Sequence, residues 1–368
     1  MSMARQFNPS RLRLARMRRQ FTLKHLSELV GLSTRMVSGY EKDNCKNVPP
    51  EDTVLKFSSA LNYPADFFLS DNDVEIVNSD TVSFRSLKAM KASQQHAAVG
   101  AGSLGLILDG YFDSKFNLPH VNLPDLRGCE PEAAADELRE LWDLGSLCIN
   151  NMIHLLEKHG IRVFSLAENT QAVDAFSFWK NGKPYIFLNT QKSGERSRMD
   201  AAHELGHLLL HKHGSPQGKA VEMEADSFAA FFLMPRRTVL ACSSKYLNIE
   251  DVLDLRPNWK TSAMAVIMQL RTVGAITEWH HRNLIIEASK LGLRKTEING
   301  IDREKTLLLE MYLKSLENDG INIKDIANKL SLPLEEITNL IFRFGVVSTG
   351  KAKPQSSPPR APKLQLVK

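Results

Sequence analysis

The chain has 368 residues, of which 43% are hydrophobic and 24% charged, a composition typical of a globular protein with two or three domains. No segment approaches the roughly 20 apolar residues of a membrane-spanning helix, so we expect no membrane partner and a cytoplasmic location. The four cysteines, Cys45, Cys129, Cys148 and Cys242, form no C-x-x-C pair, which argues against a zinc ribbon and favours reduced thiols.

The formal net charge of +5 is concentrated at the two ends of the chain. Residues 1–70 contain 11 Lys and Arg against 6 Asp and Glu, and residues 351–368 contain 5 basic residues and no acidic ones. Clustered basic side chains release counterions from phosphates, so this distribution favours a polyanionic partner. A solvated basic surface is the alternative.

Residues 1–70 have apolar residues at helical spacing in short runs, which predicts a compact domain of four or five helices. Within it, Gly31 stands where a tight turn needs a positive φ, and Ser33 can cap a second helix that runs to about Lys42. The core residues expected on these two helices are Leu26, Leu29, Val30, Val37 and Tyr40.

The run Phe21–Pro50 resembles the Cro and phage-repressor (XRE) type of helix-turn-helix. This resemblance implies double-stranded operator DNA as a partner, a recognition helix in the major groove and a homodimer. The side chains expected to meet base edges are Thr34, Arg35 and Ser38, and those expected to contact phosphates are Arg18, Arg19, Lys42 and Lys46. A helix-turn-helix kept for protein contacts is the alternative.

The middle of the chain is predicted to hold a linker and accessory helices over residues 71–149, with a helical stretch around Phe84–Ala98. A long amphipathic helix is predicted from Pro131 to about His159. After it, the runs IRVFSL, AFSFW and PYIFLN predict a small antiparallel sheet, in which Asn181-Gly182 favours a hairpin turn. The strand Tyr185–Leu188 could form an edge that holds an extended substrate, or lie inside the sheet.

The motif His203-Glu204-Leu205-Gly206-His207 lies in a helical pattern. Residues four apart project from one helix face, so both imidazoles can bind a single Zn²⁺ while Glu204 acts as the catalytic base on its water. A chance occurrence, with histidines that merely cap or pack, is the alternative.

A catalytic zinc needs a third protein ligand, and Glu222 in the downstream segment EMEAD is the predicted one, with Glu224 as the fallback. Asp226 is one turn further along the same face, where it could accept a hydrogen bond from a ligating imidazole. His211 and His213 are weaker candidates, since they are expected in the loop after the helix.

The sequence HELGH, followed by EMEADSFAAFFLMP at Glu222–Pro235, resembles the ImmA/IrrE family of metallopeptidases over roughly residues 150–283. The resemblance implies a zincin-like domain with His203, His207 and Glu222 as zinc ligands and Glu204 as catalytic base. One extra residue between Ala229 and the Leu-Met-Pro end departs from the family pattern. Family members relieve repression by helix-turn-helix repressors in mobile-element induction or stress responses, which implies a repressor-like protein substrate.

The predicted fold class is α+β and mostly helical: a helix-turn-helix bundle, a metallopeptidase domain at 150–283, a helical region at 284–349 and a disordered basic tail at 350–368. The run INIKDIANKLSLPLEEITNLI resembles a second helix-turn-helix. The predicted function is a DNA-binding transcriptional regulator with zinc-dependent endopeptidase activity toward a repressor-like protein, which could be a copy of itself. The alternatives are a non-catalytic zinc-sensing transcription factor and an antitoxin-like partner protein.

Overall fold

The structure, a computed structural model, describes residues 6–42, 48–70, 77, 83–84, 91–166, 174–189, 191–211, 218–244 and 246–341. The helices are α1 Pro9–Arg18, α2 Leu23–Val30, α3 Thr34–Tyr40, α4 Glu51–Leu61, α5 Ala65–Phe68, α6 Ala92–Asp113, α7 Pro131–Leu141, α8 Met152–Lys158, α9 Gly194–Leu210, α10 Lys219–Leu233, α11 Arg236–Cys242, α12 Ile249–Leu255, α13 Ala263–Thr272, α14 Glu278–Lys290, α15 Leu308–Asn318, α16 Ile323–Leu330 and α17 Leu334–Leu340. The strands are β1 Ser83–Phe84, β2 Arg162–Leu166, β3 Ala175–Lys180 and β4 Lys183–Asn189. The architecture is α+β and mostly helical, as predicted. Lys46, His213 and the basic tail lie outside the described residues.

Helices α1 to α5 form the N-terminal bundle, and its central turn is built as the sequence predicts. Gly31 adopts φ +70° at the end of α2, and the Ser33 side chain accepts a hydrogen bond from the Met36 amide at the start of α3. Four of the five predicted core residues are buried. Leu29 is 52% exposed, so its predicted place in the core is wrong.

The four strands form one mixed sheet in the order β1-β3-β4-β2. Strands β3 and β4 pair as the predicted hairpin, with Asn181 and Gly182 at positive φ, whereas β2 pairs in parallel with β4. The prediction of a wholly antiparallel sheet is therefore wrong. Because β2 takes the free side of β4, the strand Tyr185–Leu188 is internal and cannot act as an edge.

Both faces of this sheet are buried, in two different hydrophobic cores. One face carries stacked aromatic rings, including Phe176 and Phe187 with centroids 4.7 Å apart, and packs in the core shared with α1 to α6. Gly105 of α6 lies so close that a Cβ there would meet the Phe187 ring at 2.6 Å. The other face, with Ile186 and Leu188, packs in a second core that includes α9 and α10. The sheet thus connects the N-terminal bundle to the helices that carry the predicted metal site.

The segment predicted as one helix over 131–159 forms two helices, α7 and α8. Between them Asp143 and Gly145 have φ values of +52° and +49°, which no helix continues through. The buried Arg139 holds this turn by donating to the carbonyls of Gly145 and Leu147 and, in α10, of Phe232. Apolar residues keep their helical spacing across this break, so the break could not be predicted from the sequence.

The C-terminal helices α15 to α17 pack against the N-terminal bundle and the sheet. The buried carboxylate of Glu157 accepts from the Leu307 and Leu308 amides, both at 3.1 Å, and so caps α15. Ser165 of β2 donates to the Asn339 carbonyl of α17. The second helix-turn-helix pattern forms two helices, α16 and α17, with Ser331 at positive φ between them. However, α17 packs against other elements of the molecule, β2 and α6. None of the described helices has both the length and the apolar character needed to cross a bilayer.

Candidate metal centre

The helix α9 carries both histidines of the HELGH motif on one face. Ser193 caps its N-terminus by accepting from the Arg196 amide at 3.3 Å, and residues 200 to 210 are buried throughout. His203 is fully buried and His207 is 3% exposed, with their Nε2 atoms 3.0 Å apart. The four-residue spacing therefore brings the two imidazoles together as predicted.

The third potential metal ligand comes from α10, which packs closely along α9. Glu222 places one carboxylate oxygen 3.4 Å from His203 Nε2 and the other 3.5 Å from His207 Nε2. Gly206 makes this approach possible, because a Cβ there would lie 3.0 Å from Phe228 and 3.3 Å from the Ala225 backbone. One donor atom from each of His203, His207 and Glu222 lies within 4.8 Å of the others, so these residues form a possible metal site.

Both histidines are oriented through their second ring nitrogens. His203 Nδ1 lies 2.9 Å from Asp226, the partner predicted from the sequence. His207 Nδ1 lies 3.1 Å from His211 Nδ1, and the other nitrogen of His211 lies 2.8 Å from Glu224. Hydrogen bonds of this kind fix which nitrogen of an imidazole faces a metal.

Two further acidic and histidine side chains, Glu224 and His211, lie next to this site. Glu224, the fallback ligand, points toward His211 and away from the three convergent donor atoms. His211 is placed beside the site as a partner of His207, a role that the sequence reasoning missed. The signal was present, since His211 follows His207 by four residues and so continues the same helix face.

Glu204 is fully buried between α9 and the sheet. Its carboxylate accepts a hydrogen bond of 2.6 Å from the hydroxyl of Ser177 in β3. The sequence reasoning missed Ser177 as well, although strand alternation separates it from the aromatic face formed by Phe176 and Phe178. A lone hydroxyl between two rings in a buried strand is the signal that could have found it.

The local electrostatics favour the protonation states that a metal requires. Burial lowers the pKa of His207 to about 4, so its imidazole is neutral near pH 7. Burial alone would raise the pKa of Glu222, but hydrogen bonds from His203 and His207 outweigh it and lower that pKa to about 2. A neutral imidazole and an ionised carboxylate are the forms that bind metal ions.

The structure leaves some of the predicted DNA contacts exposed and buries or pairs others within the chain. Thr34, Arg35 and Lys42 are exposed on or beside α3, and Ser38 is half-buried there. Arg18 is buried and donates to Glu336 of α17 at 2.9 Å.

Arg19 donates to Glu336 as well, and to the carbonyls of Leu61 and Asn62. Burial and the ion pair with Glu336 contradict the predicted phosphate contact of Arg18. The Arg19 side chain is 22% exposed, and its phosphate contact stays a prediction.

Fold and site together define a helix-turn-helix protein with a His–His–Glu site of the metallopeptidase type. Residues 12–68 match the family model described as Helix-turn-helix, and residues 156–271 match the model described as IrrE N-terminal-like domain. Each match covers less than half of the chain, so residues 12–68 are similar to a helix-turn-helix domain and residues 156–271 to an IrrE N-terminal-like domain. Both resemblances seen in the sequence are thereby confirmed. A comparison with curated proteins gave no match.

Proposed function

We propose that the chain is a DNA-binding transcriptional regulator with zinc-dependent endopeptidase activity. Its proposed substrate is a repressor-like helix-turn-helix protein, which includes another copy of the chain, and its cleavage relieves repression in a mobile-element or stress response. The observation that carries the proposal is the convergence of three donor atoms, from His203, His207 and Glu222, beside the buried carboxylate of Glu204.

The spacing of these donor atoms fits Zn²⁺. Atoms bonded to one tetrahedral zinc at about 2.0–2.1 Å stand roughly 3.3 Å apart. The three separations here are 3.0, 3.4 and 3.5 Å. Three protein ligands would leave the fourth position to water or substrate, which is the pattern of catalytic rather than structural zinc. We therefore assign His203, His207 and Glu222 as ligands and Asp226 as the residue that orients His203.

Zinc bound there supplies Lewis acidity toward a peptide carbonyl and toward the attacking water. Glu204 would take a proton from the attacking water onto a carboxylate oxygen as the water oxygen bonds to the carbonyl carbon, and would deliver that proton to the amine nitrogen as the C–N bond breaks. The Ser177 hydroxyl donates to the carboxylate of the fully buried Glu204 and so orients its side chain. A chain that only sensed zinc would have no need of a buried carboxylate next to a ligand.

The DNA-binding half of the proposal rests on the exposed side chains of α3. Thr34 and Arg35 are exposed in its first turn, the part of a recognition helix that meets base edges, and Lys42 is exposed just beyond its end, where it can reach a phosphate. We propose that two copies bind an operator in this way. Holding the protease on the operator would raise its effective concentration at the repressor it cleaves.

The test compares the parent protein with Glu204→Gln, and with Glu287→Gln as a control at an exposed site on α14. We expect roughly one zinc per chain in all three by metal analysis. Mass spectrometry with candidate repressors, and with the protein alone, should show cleavage by the parent and the control, and a loss of at least about 100-fold in Glu204→Gln. Zinc bound by all three with no cleavage of any partner would favour the non-catalytic zinc-sensing factor instead.

A further inference from the structure

A cleft of about 770 Å³ lies beside the metal centre, between α9, α10, α13 and the loop that follows α14. Asp226, which lies 2.9 Å from His203 Nδ1, lines one end of it. On α9, Met199 and Arg196 line the cleft one and two turns before His203, on the same helix face. On α10, Ala230 lines it one turn after Asp226. The cleft therefore continues the groove of the metal centre along both helices.

The walls of this cleft are mostly apolar and rich in methionine. Met199 of α9 lines it from one side, and Met264 and Met268 line it from one face of α13. Met199 and Met264 are half-buried, and Met268 is 46% exposed. Methionine side chains are unbranched and flexible, so they can close around apolar groups of different shapes. A concave apolar surface of this size is typical of a ligand site.

One wall of the cleft comes from beyond the region that matches the peptidase family, which ends at residue 271. This wall is the loop 293–297. The carboxylate of Glu297 fixes it by accepting from Arg256 at 3.0 Å and from the amide of Ala263, the first residue of α13, at 3.1 Å. The Glu297 side chain is only 6% exposed. The wall is thus held in place by buried contacts within the chain.

We propose that this cleft binds a bulky apolar side chain of the protein substrate, at a residue next to the bond that is cleaved. The proposal rests on the peptidase function proposed above and names its substrate class. Consecutive Cα atoms are about 3.8 Å apart, so the side chain next to a carbonyl at the three donor atoms can reach past the His203–Asp226 pair into the cleft. A methyl group would leave the methionine side chains uncovered, and a carboxylate would lose its water there.

The first test measures binding to the zinc-loaded chain and needs no hydrolysis. The probes are three hydroxamates with the same peptide-like body, in which the hydroxamate binds zinc and the adjacent side chain is isobutyl, methyl or carboxymethyl. By isothermal titration calorimetry, the isobutyl compound should bind at least about tenfold more tightly than the methyl compound, because it buries three more carbon atoms. The carboxymethyl compound should bind most weakly. Equal affinities of the isobutyl and methyl compounds would overturn the proposal.

A pair of matched variants then locates the side chain of the probe. Met268→Glu places a charge in the cleft at an exposed position, and Met311→Glu, on α15 and 47% exposed, is the control outside the cleft. Met268→Glu should reduce the preference for isobutyl over methyl to less than about threefold, whereas Met311→Glu should keep it. Metal analysis should show the same zinc content in both variants and the parent. An unchanged preference in Met268→Glu would mean that the side chain binds elsewhere, and the proposal would be wrong.

A second measurement keeps the test valid if Met268→Glu does not fold. In the unaltered, zinc-loaded chain with ¹³C-labelled methionine methyl groups, the isobutyl compound should shift the resonances of Met199, Met264 and Met268 more than the methyl compound does. The resonance of Met311 should stay in place. Binding without these shifts would put the side chain outside the cleft and contradict the proposal.

These measurements also separate the cleft from the peptidase function. A preference for isobutyl that is lost in Met268→Glu, in a chain that cleaves no protein, would leave the cleft standing while the peptidase function fails. Cleavage of a protein partner without any preference for isobutyl would do the reverse.

Discussion

At the scale of single residues, the proposed zinc ligands depend on partners that hold their rings. Asp226 accepts from His203 Nδ1 while more than half of its own side chain is exposed. Its hydrogen bond with His203 Nδ1 fixes the tautomer that turns Nε2 toward the metal.

We expect Asp226→Asn to weaken zinc binding by about 10- to 100-fold, because an amide accepts more weakly and can also present its NH₂ group to the ring. Competition with a chelator of known affinity measures this change. Asp254→Asn, at an exposed position of α12, is the control and should leave the zinc affinity as it is. Equal affinities in Asp226→Asn and the parent would mean that packing alone orients His203.

At the scale of elements, the site depends on how closely α10 approaches α9. The contact runs through Gly206, where an added Cβ would lie 3.0 Å from the Phe228 ring and 3.3 Å from the Ala225 backbone. Glu222 lies one turn before Ala225 on α10, so any displacement of that helix moves the third donor atom away from the histidines.

Replacing Gly206 with Val should therefore lower the zinc affinity by about tenfold or more and destabilise the fold by about 1–3 kcal/mol, the usual cost of an overpacked core. Zinc titration and urea unfolding measure the two effects. Gly110→Val, at a helix position where a Cβ meets nothing within 4 Å, is the matched control and isolates the cost of a β-branched residue in a helix. If the two variants bind zinc equally well, the Gly206 contact does not set the position of α10.

The sequence predicted those elements whose residues are close along the chain. The spacing of His203 and His207 fixes their geometry within one helix, and Gly31 and Ser33 mark the turn before α3 by their local backbone requirements. The order of the strands in the sheet could not be predicted in this way, because strand pairing joins segments that are distant along the chain. Periodicity located β2 and β4 but did not show that they lie side by side in parallel.

The same limit explains the wrong phosphate contact of Arg18. Arg18 is basic and lies on a helix of the N-terminal bundle, and only the fold shows that a carboxylate 318 residues later reaches it. Ser177 and Glu204, 27 residues apart, meet for a similar reason. Side chains that pair across elements carry no periodic signal, so the centre of the site was predictable and its supporting contacts were not.

At the scale of the whole molecule, one buried carboxylate connects the two ends of the chain. Glu336 of α17 accepts from Arg18 at 2.9 Å, from Arg19 at 3.2 Å and from the Tyr63 hydroxyl at 3.0 Å, and it is 1% exposed. Burial and the charge of Glu336 raise the pKa of Tyr63 well above its usual value, so the phenol stays protonated and donates. Since α17 also contacts β2, this cluster fixes the N-terminal bundle against the sheet.

We expect Glu336→Gln to destabilise the protein by about 3–5 kcal/mol, because it leaves the buried guanidinium of Arg18 without a counter-charge. Glu335→Gln, at the exposed neighbouring position, should change the free energy of unfolding by less than about 0.5 kcal/mol. Unfolding by urea measures both. Hydrogen exchange should then rise in α1, α16 and α17 and remain unchanged in α9 and α10.

The double variant Arg18→Met/Glu336→Leu separates the charge pair from the packing around it. Replacing both buried partners with apolar side chains of similar length removes the uncompensated charge, so its stability should return toward that of the parent, and Arg19, 22% exposed, can remain solvated. If the double variant is as unstable as Glu336→Gln, the interface requires the carboxylate itself. Recovery would instead show that apolar packing can replace the ion pair at the contact of α17 with the N-terminal bundle, and that the loss in Glu336→Gln comes from the uncompensated charge of Arg18.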